Sequence, residues 1–209
     1  DMLRSQMNPH FIFNSLNSIK LYIINNDKEK AVYYLNKFAK LIRKILVAST
    51  EKHISLEEEL ETMTLYLNIE NIRFSNQINF DISVDDHINL ANVKVPSLIL
   101  QPFLENALWH GLSSKESDKK ISINVNKSSK NHIAIAITDN GIGRVESEKI
   151  NKDKSLKRKS VGINLTKERL ANFSKQFTSD YKLTISDLYD DAQKATGTMV
   201  VLDIPTNAL

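Results

Sequence analysis

Three observations predict an α+β fold with an all-helical first third. The first 75 residues contain no glycine and a single proline, which favours helix. Their apolar residues recur at helical spacing. From Ile78 onward, apolar and polar residues alternate in several short segments, as they do in half-buried strands. We therefore predict a helical region over residues 1–76 and an α/β sandwich over residues 77–209, whose mixed sheet carries helices on one face.

Three helices are predicted in the first region. The first covers residues 1–24 and ends at the polar turn 25–27, which also supplies capping chemistry for the second. Ser55 and Glu58 have the spacing of a capping box, which begins the third helix and lets it run to about residue 76. The apolar stripes exceed what three helices can cover by themselves. A homodimer through this helical region is therefore expected.

The second region alternates strands with helices. Strands are predicted at 78–84, 121–125, 133–138, 181–187 and 198–204, the second and third of these as an antiparallel pair. A helix is predicted from Pro96 to His110, with Gly111 ending it as the C′ residue, and another helix covers 164–177. Residues 144–160 are rich in lysine and poor in apolar anchors. They predict a long mobile loop.

Composition excludes several classes of protein. The chain has 209 residues, a net charge of +3 and no cysteine. This charge is too small to indicate nucleic-acid binding, and disulfides and thiolate metal sites are ruled out. The longest apolar run, about 95–104, is shorter than the ~20 residues that span a bilayer. The chain begins with Asp1 inside a helical pattern, so we expect it to be part of a longer protein.

Two short segments have the chemistry of a metal–nucleotide site. The helix over Gln101–Gly111 carries Asn106, and the turn Asp139–Gly143 follows an apolar strand and contains two glycines. An amide oxygen can coordinate magnesium, and a carboxylate can accept a hydrogen bond from an adenine amine. Glycine lets the backbone approach a ligand closely. Taken alone, Asn106 also fits a solvated helix residue and Asp139 an ordinary hairpin turn.

His10 is the candidate nucleophile. Pro9 directly before it removes a backbone donor and disfavours the helical conformation of Asn8, so the helix is expected to kink there. Such a cost is tolerated more readily at a functional position. A neutral imidazole nitrogen can attack phosphorus near neutral pH. Without this context, a single helix histidine is more often a surface residue.

The segment Met7–Asn17 resembles the phosphoacceptor box of the LytS-type sensor histidine kinases. The later motifs resemble the boxes of the gyrase/histidine-kinase ATPase (Bergerat) fold. The four segments that carry this second resemblance, in the order of that family, are 96–107, 139–143, 162–170 and 197–205. The resemblance covers nearly the whole chain and implies the cytoplasmic catalytic core of a two-component sensor kinase.

The resemblance also implies roles for individual residues. ATP with Mg²⁺ would phosphorylate His10, and the phosphoryl group would pass to an aspartate of a response regulator. Membrane attachment would come only through N-terminal segments absent from this sequence. Glu105 is a candidate base, and Asn14 a candidate for positioning the acceptor. The residues expected to contact nucleotide or metal are Asn106, His110, Asp139, Gly141, Gly143, Gly162 and Thr198, with Asn106 as the metal ligand.

Three positions depart from the family pattern and leave alternatives open. Phe11 stands where commoner histidine kinases carry an acidic residue, Trp109 where many relatives have lysine, and Ser160 where many have glycine. These departures favour a catalytically degenerate, ATP-binding dimer that acts as a signalling scaffold. A Bergerat-fold kinase acting on serine or threonine is a further alternative, against which the Asn8–Phe11 motif argues.

Overall fold

The structure is a computed structural model that describes residues 9–150, 155–177 and 179–206. The helical region contains α1 (Pro9–Ile24), α2 (Lys28–Thr50), the short strand β1 (His53–Ser55) and α3 (Leu56–Arg73). The remaining elements are β2 (Ile78–Val84), β3 (Lys94–Pro96), α4 (Gln101–Asn106), a π-helix (Ala107–Leu112), β4 (Lys119–Ser129), β5 (His132–Asp139), α5 (Arg144–Ile150), α6 (Ser155–Ser174), β6 (Lys182–Tyr189) and β7 (Ala195–Pro205). The predicted α+β class is confirmed.

The main sheet is mixed, as predicted. Its five strands lie in the order β2-β4-β5-β7-β6, with β2 and β4 parallel and every other pair antiparallel. Alternate residues of β4 and β5, such as Ile123 and Ile135, are fully buried. The π-helix contacts β4, β5 and β7. This packing fixes the end of the α4–π segment against the middle of the sheet.

The three helices of the first region pack on one another, as their apolar spacing predicts. Asp27 caps α2 by accepting a hydrogen bond from the Lys30 N–H. The predicted capping box of α3 is present, because Ser55 Oγ accepts from the Glu58 N–H and the Glu58 carboxylate accepts from the Ser55 N–H. The buried core runs from these helices into the sheet without a break. The division at residue 76 stays a prediction.

A second, two-stranded sheet joins the two regions and was not predicted. β1 pairs antiparallel with β3, with Ile54 opposite Val95. Each strand has three residues, which is too short for an alternating pattern to be visible in the sequence. His53 lies in β1 with its ring edge-on to Phe173 of α6. The linker between α2 and α3 is therefore tied to the segment that leads into α4.

Two predicted elements need correction. The helix expected over Pro96–His110 begins only at Gln101 and changes to π-helical geometry at Ala107, so Gly111 lies inside the π-helix and does not end it. The mobile loop expected over 144–160 is also wrong in part, because residues 144–150 and 155–160 are helical. Polar sequence alone did not distinguish a solvated helix from a loop there. The part of the predicted first helix before Pro9, including the expected kink at Asn8, lies outside the described residues.

A candidate nucleotide-binding site

A pocket lies between the α4–π segment, the ends of β5 and β7, and the start of α5. Asn106, His110, Asp139, Gly143 and Thr198, which come from separate motifs of the sequence, all line it. The other lining residues are Phe103, Ala107, Gly111, Ile137, Arg144, Ser147, Ile163, Ile185 and Val200. Apolar walls with a few convergent polar groups are typical of sites that hold a small molecule.

Asp139 is the buried carboxylate of this pocket, with only 6% of its surface exposed. Its Oδ1 accepts a hydrogen bond from the Gly141 N–H at 2.8 Å. Burial raises the pKa of Asp139 to about 6, while the backbone N–H groups of Gly141 and Thr198 act against that rise. These two donors orient the carboxylate. An acceptor held in this way fits the adenine-reading role that the resemblance implies.

Gly111 and Gly141 must both be glycine because the π-helix and the Asp139 loop approach each other closely there. A Cβ on Gly111 would lie 2.7 Å from Asp139 Oδ1, and a Cβ on Gly141 would lie 2.4 Å from the Gly111 carbonyl oxygen. The Ile142 N–H also donates to the Gly111 carbonyl at 3.1 Å. Gly111 therefore makes room for the carboxylate, a role that sequence reasoning missed. Its place directly after the asparagine motif was the available signal.

Asn106 is the last residue of α4, and the helix continues from it as the π-helix that carries His110. Both side chains line the pocket and are half-buried. π-helical turns are frequent at functional sites because they change which side chains share a face. The described residues contain no group of three His, Cys, Asp or Glu side chains suited to a metal ion. The Asn106 amide oxygen, with phosphate oxygens and water, is a donor set that magnesium accepts.

Arg144 and Ser147 of α5 also line the pocket, and sequence reasoning assigned neither of them. The Arg144 guanidinium is bidentate to Asp187 of β6, with Nε to Oδ1 at 2.8 Å and a terminal nitrogen to Oδ2 at 2.7 Å. Ser147 is 2% exposed, and its N–H donates to the Gly143 carbonyl. The beginning of the segment 144–160, predicted as a mobile loop, is thus attached to the sheet. The 43-residue separation of this ion pair left no signal in the sequence.

Besides His10, three predicted site residues do not line this pocket. Glu105 lies on α4 beside Gln101, whose amide donates to it at 2.9 Å. Burial raises the pKa of Glu105, and hydrogen bonds with Gln101 and Tyr66 oppose that rise. Gly162 lies inside α6 with open space beside its Cα, and its carbonyl accepts from Thr166. Gly141 contributes through the close approach to Gly111 and not through a lining surface.

His10 lies exposed near the start of the described part of α1, away from the pocket lining. The side-chain amide nitrogen of Asn14, one helical turn later, lies 2.9 Å from His10 Nδ1. Phe11 points the other way and is 6% exposed, with its ring 5.2 Å from that of Tyr66. The helix therefore presents the imidazole to solvent while the next side chain fixes it to α3.

Trp109 packs outside the pocket. Its ring lies 5.2 Å from that of Phe74, and the Arg73 guanidinium lies 3.9 Å from its centre. Arg73 also bonds the buried carboxylate of Glu70 at 3.2 Å. This cation–π contact joins the end of α3 to the π-helix.

Comparison with known proteins places this geometry in a family. The model of the Histidine kinase family matches residues 1–78. Sensor protein LytS from Oceanobacillus iheyensis is 38% identical over 141 residues, which are 68% of this chain and 23% of that protein. Sensor histidine kinase/phosphatase LytS from Staphylococcus aureus is 34% identical over 152 residues, 73% of this chain and 24% of that protein. The chain belongs to the LytS-type histidine kinases.

The fold agrees with this membership. The histidine kinase domain of a blue-light-activated histidine kinase from Erythrobacter litoralis superposes with a TM-score of 0.51 at 18% identity, covering 81% of this chain and 74% of that one. This LytS-type chain spans about a quarter of the length of the two LytS relatives. Among its described helices, none combines the length and the apolar character that a membrane crossing requires.

Proposed function

We propose that this LytS-type core is an ATP-dependent protein-histidine kinase that phosphorylates its own His10. The observation that carries the proposal is the pocket itself. Three segments more than 30 residues apart in sequence bring Asn106, Asp139 and Thr198 to one cavity with apolar walls. Sites of this kind, with a carboxylate whose pKa is raised, are where bound nucleotides and chemistry concentrate.

The pocket residues fit the parts of an adenine nucleotide. Asp139 accepts a hydrogen bond from the adenine amine, and Ile137, Ile185 and Val200 supply an apolar surface for the ring. The Asn106 amide oxygen would hold a magnesium ion, which would supply charge neutralisation for the phosphates. Arg144, paired with Asp187, forms part of the pocket wall. The chain thus binds and orients the triphosphate, which is the main demand of phosphoryl transfer.

In the proposed reaction, a ring nitrogen of His10 attacks the terminal phosphorus of ATP. A nitrogen–phosphorus bond forms, the bond from that phosphorus to the bridging oxygen breaks, and ADP leaves with the electron pair. The described α1 contributes no residue to the pocket lining, so the acceptor must be brought to the pocket by movement of the ATPase part or by a partner chain. Glu105 stays a prediction as the base, and its position outside the lining makes that role depend on the same movement.

Dimerisation through the helical region is part of the proposal. Of the apolar residues predicted to form stripes, Phe11 and Ile19 are buried, whereas Leu16 and Ile23 are 42% and 62% exposed. Other large apolar side chains left exposed on α1 and α2 are Phe13, Leu21, Ile24, Val32, Leu35, Leu46 and Val47. An apolar surface of this size is typical of an interaction site. Light scattering should give twice the mass of one chain, and a monomer at micromolar concentration would contradict this part.

Membership of the histidine kinases supports two further parts of the proposal, a phosphotransfer step and a location. The phosphoryl group passes from His10 to an aspartate of a response regulator. The chain is the cytoplasmic portion of a longer sensor held at a membrane by other segments. A response regulator that gains label from phosphorylated chain, and not from ATP alone, would support the first of these parts.

The deciding experiment is labelling with ATP that carries ³²P at the terminal phosphate. We expect the chain to acquire label that is lost in acid, and we expect neither His10→Gln nor Asn106→Asp to acquire it. His10→Gln should still bind nucleotide, because His10 does not line the pocket. A mixed dimer of the two variants then tests transfer between chains. Label that persists in His10→Gln would refute the assignment of the acceptor.

The alternative function, a nucleotide-binding scaffold without kinase activity, is favoured by one observation. Trp109 packs against Phe74 and Arg73, so the position that carries lysine in many relatives offers no cation to phosphate. Nucleotide binding with no label on any residue would support the scaffold. Acid-stable label on another protein would instead indicate a serine or threonine kinase.

A further inference from the structure

Glu59 is a buried carboxylate that the proposed mechanism does not use. It is the third of three consecutive glutamates in the first turn of α3, and its exposure is 0%, whereas Glu57 and Glu58 are exposed. A charged side chain is rarely buried in this way unless its oxygens are hydrogen-bonded. The partners of Glu59 are therefore informative.

Both carboxylate oxygens of Glu59 bind the turn that precedes α4. Oε2 accepts from the Leu98 N–H at 2.8 Å, and Oε1 accepts from the Leu100 N–H at 2.9 Å. Leu98 has φ of 56°, a left-handed conformation that is costly for a side chain of this size. Such a conformation persists only where its surroundings hold it. Glu59 supplies two of the bonds that hold it.

The same turn is bound from its other side by α6. A terminal nitrogen of Arg169 donates to the Ser97 carbonyl, and lies 3.3 Å from Ser97 Oγ. The Ser97 hydroxyl donates to the Glu51 carbonyl at the end of α2, at 3.0 Å. Burial raises the pKa of Glu59 to about 7, while the Leu100 and Leu98 N–H groups and the Arg169 charge act against that rise. Bonds from α2, α3 and α6 thus meet at residues 97–100, immediately before α4 begins.

We propose that Glu59 is a positioning residue for the nucleotide site: by fixing the turn 97–100 it sets the placement of α4 and hence of the Asn106 amide. The inference rests on the proposed function, because it concerns the same magnesium–nucleotide site. α4 has six residues and is about 9 Å long, so a shift at its first residue is carried to Asn106 at its end. Glu59 belongs to α3, which also packs against Phe11 next to the acceptor. One side chain therefore links the acceptor-bearing helices to the metal ligand.

The test compares Glu59→Gln with Glu61→Gln in the whole 209-residue chain. Glutamine keeps the shape of Glu59 but can accept only one of the two backbone hydrogen bonds. Glu61 lies on the same helix, is exposed and pairs with Lys40 and Lys44, so its replacement makes the same change of charge away from the turn. ADP is the probe, and its Kd is measured in Mg²⁺ and in EDTA. Amide hydrogen exchange across residues 97–106 is measured without nucleotide.

We expect Glu59→Gln to weaken ADP binding about tenfold in Mg²⁺, as loss of a residue that orients a metal ligand does, and to leave binding in EDTA unchanged. Exchange of the Leu98 and Leu100 amides should accelerate in this variant, whereas Glu61→Gln should match the unsubstituted chain in both measurements. Because Glu59 acts through Asn106, the loss of ADP affinity in the double variant Glu59→Gln/Asn106→Ala should differ from the sum of the losses in the two single variants. A role in stability alone would not produce this dependence on Mg²⁺.

Three results would overturn the inference. Unchanged ADP binding in Glu59→Gln, with the unsubstituted chain binding normally, removes the inference and leaves the proposed function intact. Equal weakening in Mg²⁺ and EDTA, additive with Asn106→Ala, shows a merely structural role. Absence of binding by the unsubstituted chain removes the proposed function and this inference together. If Glu59→Gln does not fold, Ser97→Ala perturbs the same turn while keeping Glu59, and should give the same Mg²⁺-dependent loss at a smaller size.

Discussion

The candidate pocket and the acceptor surface of α1 are built in opposite ways. Around the pocket, polar side chains form hydrogen bonds with the backbone. Asp139 accepts from the Gly141 and Thr198 N–H groups, and Glu59 accepts from the turn that precedes α4. On α1, His10 lies in solvent with Asn14 beside it, and the precise anchoring falls to the apolar Phe11. In the proposed function, the residues assigned to the nucleotide (the nucleotide half of the site) lie within one chain, whereas the proposed acceptor (the acceptor half) requires the approach of another surface.

The strongest test of this contrast is Gly141→Ala. The new Cβ would lie 2.4 Å from the Gly111 backbone, so the Asp139 loop must move away from the π-helix. Because a displacement of about 1 Å can cost on the order of a hundredfold, we expect nucleotide affinity to fall by about that factor. The helical content and mass of the dimer should stay the same. These are measured by equilibrium binding, circular dichroism and light scattering.

Gly162→Ala is the matched control for that substitution. A Cβ at Gly162 meets no atom within 4 Å, and alanine is the better helix former by about 1 kcal/mol. We therefore expect this variant to fold with equal or higher stability. Equal loss of binding in both alanine variants would show that the pocket does not depend on the close approach of Gly141 to Gly111.

The second test addresses the acceptor half through Phe11→Ala. Removal of a buried aromatic ring costs roughly 3 kcal/mol, and here it removes the contact with Tyr66. We expect the free energy of unfolding of the helical region to drop and labelling of His10 to fall, although the imidazole itself is unchanged. Nucleotide affinity should stay within about twofold, because Phe11 does not line the pocket and is separated from α4 by Tyr66, which hydrogen-bonds Glu105. Denaturant titration, labelling and equilibrium binding measure the three quantities.

Phe11→Leu is the control, because it keeps most of the apolar volume and should cost less than about 1.5 kcal/mol. A large fall in nucleotide affinity in Phe11→Ala would show that the two halves are coupled more tightly than their contacts suggest.

The third test measures how stability depends on pH through Glu70, a residue of α3 at the boundary between the two halves. Glu70 is 1% exposed, and burial raises its pKa from 4.5 to about 7 despite the adjacent Arg73. A carboxyl group with a raised pKa in the folded state stabilises the protein fully below pH 4.5, and this stability is lost as the pH rises through 7. Glu70→Gln should remove that part of the slope, on the order of 3 kcal/mol between pH 4.5 and 8. Thermal unfolding across this range measures it.

Glu59 and Asp139 also have raised pKa values and contribute to the slope in both proteins, so the difference between the wild-type and Glu70→Gln profiles is the relevant quantity. Parallel profiles would show that Glu70 is not the titrating group.

The sequence indicated residues that line the pocket better than it indicated the residues that fix the surrounding segments in place. Asn106 and Asp139, which both line the pocket, were singled out in the sequence because each belongs to a short motif. Glu59 was not, because in sequence it is one of three glutamates in a helix's first turn, and burial selects among them only after α3 packs on the α4 turn. The pairing of Arg144 with Asp187 and of β1 with β3 likewise joins residues about 40 apart, and local patterns contain no record of such contacts.

The helical conformation within residues 144–160 was missed for a related reason. The solvated face of a lysine-rich helix and a polar loop have the same composition, and the apolar anchors that distinguish them are few over 144–160. The π-helix was missed because one extra residue in a turn leaves the apolar spacing of 103–112 nearly helical. Glycine at 111 was therefore interpreted as an end signal, while its actual role is to admit the Asp139 carboxylate.

The smallest expected effect comes from Ser55→Ala, at the point where the two halves join. Ser55 ends β1 and caps α3, and its hydroxyl accepts from the Glu58 N–H at 3.2 Å. Loss of such a cap costs about 1 kcal/mol, which denaturant titration can resolve. Ser55→Thr keeps the acceptor oxygen and should retain most of that stability. Loss of the cap would loosen the first turn of α3, which contains Glu59. Nucleotide affinity in Mg²⁺ should therefore also fall by a few tenths of a kcal/mol for Ser55→Ala alone. Equal stability of the alanine and threonine variants would show that the β1–β3 pairing, and not the capping box, fixes the beginning of α3.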